Sequence, residues 1–136
     1  MIAIDEDKTT IHLTRGDATQ EEFNRIVVHF PIWDDEQEKE VNYEFKLTDK
    51  LTFIAFEKKG YTKKEIFKKE YTMAQLGYTE PTETPEIILT TQDTLKFAPS
   101  NKKATYWYNV ILNDNATIIG SDEDGSKKII VYPSES

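Results

Sequence analysis

The stretch "ATYWYNVIL", residues 104–112, decides the fold because it is the clearest β-strand in the chain. Its side chains alternate with a period of two, which sends successive residues to opposite faces of a sheet. One face carries Tyr106, Tyr108, Val110 and Leu112, and the other carries Trp107, Asn109 and Ile111. The pattern predicts a central strand with the first face in the core.

The residues after this strand continue the β pattern. Residues 113–115, "NDN", predict a turn, and "ATIIG" (116–120) predicts a strand that returns from it. "DEDGSKK" (122–128) then leads into "KIIVY" (128–132), and its Asp124-Gly125 pair is a strong hairpin signal. We therefore expect a hairpin at this end of the sheet.

Four stretches before residue 104 also read as strands. They are "TTIHLT" (9–14), "RIVVHFPIW" (25–33), "KLTFIAFEK" (50–58) and "EIILT" (86–90). Pro31 cannot donate to a ladder, so it should lie at a strand end, a bulge or an edge. The stretch 50–58 is apolar on both faces, which predicts a core strand with cover on each side or at the centre of a sandwich.

The stretch "KKEIFKKEYT" (63–72) is ambiguous. Ile66, Phe67 and Tyr71 could form a helical stripe, but the residues also alternate as in a strand. We prefer a strand that forms a hairpin with 50–58. The acidic run 34–40 and the proline-containing stretch 76–86 are expected to be loops.

About eight short strands separated by turn signals predict an all-β fold. The expected architecture is a single antiparallel, immunoglobulin-like β-sandwich spanning residues 1–136 as one domain. A small barrel is the alternative.

Composition limits the function classes. The 136 residues include no cysteine, which excludes a disulfide scaffold, a thiolate metal site and a cysteine nucleophile. The net charge of −8 makes nucleic acid an unlikely partner. With no run of 18 apolar residues, and an N-terminus that turns acidic after four residues, neither a membrane span nor a signal peptide is expected.

The tripeptide Arg15-Gly16-Asp17 matches the cell-attachment signature. It directly follows the alternating stretch 9–14, where Gly16 can adopt a positive φ and Asp17 can cap a turn. We interpret it as a turn.

Candidate metal sites are weak. His12 and His29 could bind a metal with help from Asp17, Asp34 or Asp35, and would face one another if their strands paired. Asp122, Asp124 and Gly125 resemble part of a calcium loop, but the third acidic position and the terminal glutamate of that motif are absent. Structural roles explain both sets better, so no metal and no cofactor are predicted.

The sequence signals for a catalytic site are equally weak. None of the serines, Ser100, Ser121, Ser126, Ser134 and Ser136, lies in a nucleophile-elbow pattern. The carboxylates cluster in 34–40 and 122–124, where they look like solvated loop residues rather than a glycosidase pair. We therefore predict no enzymatic activity and no catalytic, cofactor-binding or metal-binding residues.

A lysine cluster opposes the overall charge. Its members are Lys58, Lys59, Lys63, Lys64, Lys68 and Lys69. They could dock an acidic partner surface, or they could protect an exposed hairpin from edge pairing.

The order of several motifs carries a resemblance. "LTRGDAT", "FKLTDKLTFIAFEKKG", "EIILTTQDT", "YWYNVIL" and "ATIIGSDEDGSKKIIVYP" together resemble small phage and prophage proteins of Gram-positive bacteria. These are similar to the N-terminal domain of phage baseplate upper proteins. The resemblance spans nearly the whole chain and implies a β-sandwich that works in virion assembly, in the particle or in the host cytoplasm during assembly. It implies no catalytic residues.

Two functions follow as hypotheses. The first is a non-enzymatic baseplate, tail or other virion-associated module that contacts other virion proteins, or itself as a homo-oligomer, and neither nucleic acid nor membrane. It would act through a strand edge or an aromatic, lysine-bearing face. The alternative is a carbohydrate-binding module that presents Tyr106, Trp107 and Tyr108, or Trp33, to a cell-surface glycan. Alternation opposes a continuous platform on 104–112, because it sends only Trp107 to the second face.

Overall fold

A computed structural model describes residues 2–4, 10–19, 26–119 and 127–133. The described residues are mostly β, with 52% in strands and 4% in helix, so the all-β class is confirmed. The described strands are β1 (Ile2–Ile4), β2 (Ile11–Thr14), β3 (Ile26–Val27), β4 (Pro31–Asp34), β5 (Lys39–Asn42), β6 (Lys50–Lys59), β7 (Thr62–Thr72), β8 (Glu86–Ile87), β9 (Ala104–Leu112), β10 (Ala116–Ile119) and β11 (Lys128–Tyr132), with a short helix α1 (Thr91–Thr94).

Seven strands form the main sheet in the order β1-β2-β11-β9-β6-β7, with β10 also paired to β9. The stretch 104–112 is confirmed as a central strand, since β9 pairs with β6 along one edge and with β10 and β11 along the other. The stretch 63–72 is confirmed as the hairpin partner of 50–58. β7 lies at one edge of the sheet.

The sheet is mixed, because β11 runs parallel to β2 while its other strand pairs are antiparallel. The prediction of a purely antiparallel sandwich is therefore not confirmed. The expected final hairpin is also wrong for the described strands, since β10 and β11 each pair with β9. The Asp124-Gly125 turn that suggested it lies outside the described residues.

The core lies on one face of the sheet, which we call the inner face. Alternation along β6 sends Leu51, Phe53 and Ala55 to this face, and all three are fully buried. β9 contributes its predicted core residues, Tyr106, Tyr108, Val110 and Leu112. Phe53 stacks on Tyr108 with ring centroids 5.4 Å apart, and its centroid lies 5.9 Å from that of Phe67 on β7.

The segments between the long strands supply the other side of the core. Ile26 and Val28 lie in the core and come from one such segment. Ile87 and Leu89 also lie in the core and come from another. β3 and β8 pair with each other, and β4 and β5 form a separate hairpin. The predicted strand 25–33 is therefore wrong as one element, because residues 28–30 separate β3 from β4 and the two strands belong to different sheets.

Several local predictions are refined. The expected strand 86–90 is reduced to Glu86–Ile87 and is followed by α1, which was not predicted. In the acidic run 34–40, residues 35–38 form the exposed turn of the β4–β5 hairpin. The turn at 113–115 is confirmed, and Asn113 and Asp114 both have positive φ, as a tight hairpin turn requires. No helix in the described ranges has the length and apolar character needed to cross a membrane.

Candidate functional site

The second face of the main sheet, the outer face, is the candidate interaction surface. On β6, Ile54 and Phe56 point to it, because their neighbours Phe53 and Ala55 point into the core. The register places Trp107 between Phe56 and Lys128 in one cross-strand row. The outer face also carries Ile111, Ile130 and Tyr132, all half-buried.

These outer-face side chains do not belong to the core. Phe56 is only 4% exposed, yet it is absent from the buried core cluster. The half-buried Ile54, Trp107 and Ile111 are also not among the residues that pack against that cluster. The prediction that 50–58 lies in the core is confirmed for its inner face; on the outer face Thr52 and Phe56 are also buried, and Ile54 is half-buried.

Lysines surround the aromatic centre of the outer face. The ammonium of Lys58 lies 5.3 Å from the Trp107 ring and 5.9 Å from the Phe56 ring, and that of Lys63 lies 5.1 Å from Phe56. Cation–π contacts of this kind hold the lysine stems along the rings while the charges stay near water. Two members of the predicted lysine cluster are thus part of an aromatic surface.

The Arg15-Gly16-Asp17 turn is held by hydrogen bonds to residues 94–97, at and after the end of α1. Gly16 has φ 94°, and its N–H donates to the Thr94 hydroxyl at 3.0 Å, which in turn donates to the Asp17 carbonyl at 2.7 Å. The Arg15 guanidinium donates to the carbonyls of Phe97 and Leu95 at 2.9 and 3.2 Å. The turn interpretation is confirmed, and the tripeptide anchors the segment after α1 to the end of β2.

A largely buried ion pair connects β7 to α1. Lys69 Nζ lies 2.6 Å from the Asp93 carboxylate, whose side chain is 8% exposed. The carboxylate also accepts the Thr90 N–H at 2.8 Å, and the Thr90 hydroxyl accepts the Asp93 N–H at 3.2 Å, which forms a capping box. Neither the ion pair nor the capping box was predicted from the sequence; the Thr90-x-x-Asp93 spacing indicates the capping box alone.

A second buried carboxylate, Asp49, is also structural. It accepts hydrogen bonds from the Tyr43 hydroxyl, the Lys46 N–H and the Asn113 amide at 2.8 to 2.9 Å. Burial alone would raise the pKa of Asp49, but these hydrogen bonds outweigh burial and lower it. A carboxyl with a lowered pKa stays charged at neutral pH, unlike a general acid, whose pKa must be raised. Asp49 therefore organises the turn before β6.

The structure does not bring the candidate metal ligands together. The two histidines do not face each other across paired strands, because β2 pairs with β1 and β11 while β3 pairs with β8. His12 instead stacks on Tyr132, with Nδ1 3.0 Å from the hydroxyl oxygen. In the part of the chain that the structure describes, no three His, Asp or Glu side chains could hold a metal ion. Asp122, Asp124 and Gly125 lie outside the described residues.

The candidate glycan-binding aromatics are separated. Tyr106 and Tyr108 are 6% and 2% exposed, as the alternation predicted, so they belong to the core. Trp107 is half-buried on the outer face, whereas Trp33 is 61% exposed on the β4–β5 hairpin. Comparisons with family models, curated proteins and solved structures find no match for this chain.

Proposed function

We propose that this protein is a non-enzymatic structural or adaptor module of a phage particle, which contacts other virion proteins through the outer face of its main sheet. The phage setting, in the virion or in the host cytoplasm during assembly, is supported by the order of motifs from "LTRGDAT" to "ATIIGSDEDGSKKIIVYP". The mode of action is supported by the aromatic and lysine-bearing outer face.

The composition of the outer face carries the proposal. Aromatic side chains are enriched at protein interfaces because they bury a large apolar area at little entropic cost. Trp107 and Phe56 adjoin Ile54 and Ile111 through the β6–β9 register, so the apolar side chains are contiguous rather than scattered. Phe56 is buried beneath this patch, whereas Trp107, Ile54 and Ile111 are half-buried and remain partly accessible; an accessible, contiguous apolar patch supports an interaction site.

The outer face is a better contact surface than the sheet edge at β7. An edge strand recruits another strand through unpaired backbone groups, and lysines and bulges oppose this. β7 carries Lys63, Lys64 and Lys68, and its register shifts between Ala55 and Phe56 of β6. The lysine cluster therefore opposes pairing of the β7 edge with a strand of another molecule. Lys58 and Lys63 also lie beside the aromatic rings of the outer face.

Co-purification tests this proposal. The tagged protein, co-expressed with the virion proteins encoded beside its gene, should retain at least one of them. A Lys68→Glu/Lys128→Glu variant should lose that partner, because both lysines lie on the outer face. The matched variant Lys103→Glu, at an exposed position in the loop before β9, should retain it. If the wild type and both variants all retain the virion protein, or if none of them does, the proposed surface is contradicted.

A carbohydrate-binding module is the second candidate, favoured by one observation. Trp33 is 61% exposed, and an exposed aromatic ring suits stacking on a sugar. Binding of cell-surface glycans that quenches tryptophan fluorescence, and that is lost in Trp33→Ala, would support it. A glycan array on which the protein binds no glycan would exclude the carbohydrate-binding function.

A further inference from the structure

One face of the β4–β5 hairpin gathers an aromatic ring and two polar side chains. Directly opposite residues of an antiparallel pair lie on the same face, and the face alternates with each residue along a strand. The register pairs Trp33 with Glu40, and Pro31 with Asn42. These four residues therefore share one face of the hairpin, and all four are exposed.

The rest of the hairpin holds this face in place. The Asp34 carboxylate accepts the Glu36 N–H at 2.9 Å and the Gln37 side-chain amide at 3.1 Å, which fixes the turn. At the base, the Tyr43 N–H donates to the Phe30 carbonyl at 2.8 Å, and both residues pack against the core. The face is thus preorganised, so a ligand that binds there loses little free energy in ordering it.

The side chains of this face are available to a ligand. Trp33 is 61% exposed. Among the described residues, none forms a hydrogen bond, an ion pair or a ring contact with the side chains of Trp33, Glu40 or Asn42. Apart from Pro31, the neighbours of the ring on this face are polar. The face therefore fits a small polar ligand that has one apolar side.

A sugar in its pyranose form has this combination. Its C–H face can stack on an indole ring, and its hydroxyl groups can exchange hydrogen bonds with a carboxylate and an amide beside the ring. Glu40 and Asn42 are suitably placed, because opposite and diagonal neighbours on one face of a ribbon lie about 5 and 7 Å apart. A single pyranose stacked on Trp33 would reach both side chains.

The charge of the hairpin favours a sugar that carries an ammonium group. Residues 31–42 contain five carboxylates and one lysine, which gives a net charge of −4. In the part of the chain that the structure describes, Asp35, Glu36, Glu38 and Glu40 form no ion pair. An ammonium group here is attracted by unpaired carboxylates and by the face of the Trp33 ring, whereas an anionic glycan is repelled.

We propose that the exposed face of the β4–β5 hairpin binds a pyranose that carries an ammonium group. This inference rests on the carbohydrate-binding candidate and names the class of its ligand. Trp33 stacks on the C–H face of the sugar, Glu40 contacts the ammonium group, and Asn42 binds a hydroxyl group.

Isothermal titration calorimetry with a glucosamine tetramer and with its N-acetylated counterpart tests the inference. The wild-type protein should bind the glucosamine tetramer at least about tenfold more tightly, because acetylation removes the positive charge. The preference should shrink at about 500 mM salt, since screening weakens exposed charge pairs. No binding of the glucosamine tetramer, or equal affinity for the two tetramers, would overturn the inference.

Three variants assign the contacts. Trp33→Ala should weaken binding of the glucosamine tetramer at least about tenfold, and Glu40→Gln should remove most of the preference over the acetylated form. Glu44→Gln, at an exposed carboxylate beyond the hairpin, should bind as the wild type does. All three positions are exposed, so circular dichroism should show unchanged folding. Wild-type affinity in Trp33→Ala, or equal losses in Glu40→Gln and Glu44→Gln, would contradict the assigned face.

Two further measurements separate this inference from the proposed functions. If only uncharged or anionic glycans bind, and Trp33→Ala loses them, the carbohydrate-binding candidate stands and the inference is overturned. If no glycan binds, both fail. Trp33→Ala should still retain a virion protein in the co-purification, because the outer face is intact. Loss of that protein in Trp33→Ala, without any binding of the glucosamine tetramer, would make the hairpin a protein contact and overturn the inference.

Discussion

Replacing Asp93 with asparagine is expected to lower the free energy of unfolding by about 3 kcal/mol, because the Lys69 ammonium then loses its charged partner in a largely buried position. The two groups are 2.6 Å apart, and the side chains of Lys69 and Asp93 are 22% and 8% exposed. Chemical denaturation of both proteins at pH 7 measures the difference.

The chain offers a matched control for this substitution. Lys50 and Asp114 are also 2.6 Å apart, but the Asp114 side chain is 66% exposed. Exposed pairs contribute little, so Asp114→Asn should cost less than about 1 kcal/mol. Equal losses in the two variants would contradict the structural role assigned to the buried pair.

The same pair predicts a pH dependence. Burial by itself raises the pKa of Asp93, but hydrogen bonds from Lys69 and Thr90 outweigh it and hold the pKa below the usual range of an aspartate. Because the folded-state pKa is lower than the unfolded one, the carboxylate stabilises the protein above about pH 4, and this is lost as the pH falls through the folded-state pKa. The difference between wild type and Asp93→Asn should therefore shrink below about pH 4.

Phe53→Ala is expected to cost about 3 to 5 kcal/mol, since it removes a fully buried ring between Tyr108 and Phe67 at the centre of the sheet. The cavity opens between three strands that pack around it, so little relaxation can fill it. Urea denaturation followed by circular dichroism measures the loss. Tyr61→Ala, at a fully exposed turn position, should change stability by less than about 0.5 kcal/mol. A loss below about 1 kcal/mol at Phe53 would contradict the assigned inner face.

The long strands were predictable because their alternation is sustained. In 104–112, every predicted core position is buried, and 50–58 and 63–72 pair as expected. The stretch 25–33 failed because its apolar residues pack on the core without continuous strand pairing. The parallel pairing of β2 with β11 joins residues more than 100 positions apart, and no local pattern reports it.

The candidate site was predictable only in part. The lysine cluster and the apolar second face of 50–58 are visible in the sequence, but their meeting with Trp107 depends on the β6–β9 register. The Lys69–Asp93 pair also needs tertiary structure, because one partner lies on a strand and the other in a short helix. The exposure of Trp33 follows from the hairpin, and β5 was not predicted.

Lysine acetylation footprinting of purified phage particles tests the central claim most directly. Reactivity in the particle is compared with that of the isolated protein, diluted until it is monomeric. If the outer face is the contact surface, Lys68 and Lys128 should lose reactivity in the particle while the exposed Lys103 keeps it. Equal reactivity of the three lysines in both samples, or absence of the protein from particles and from assembly intermediates, would contradict the account.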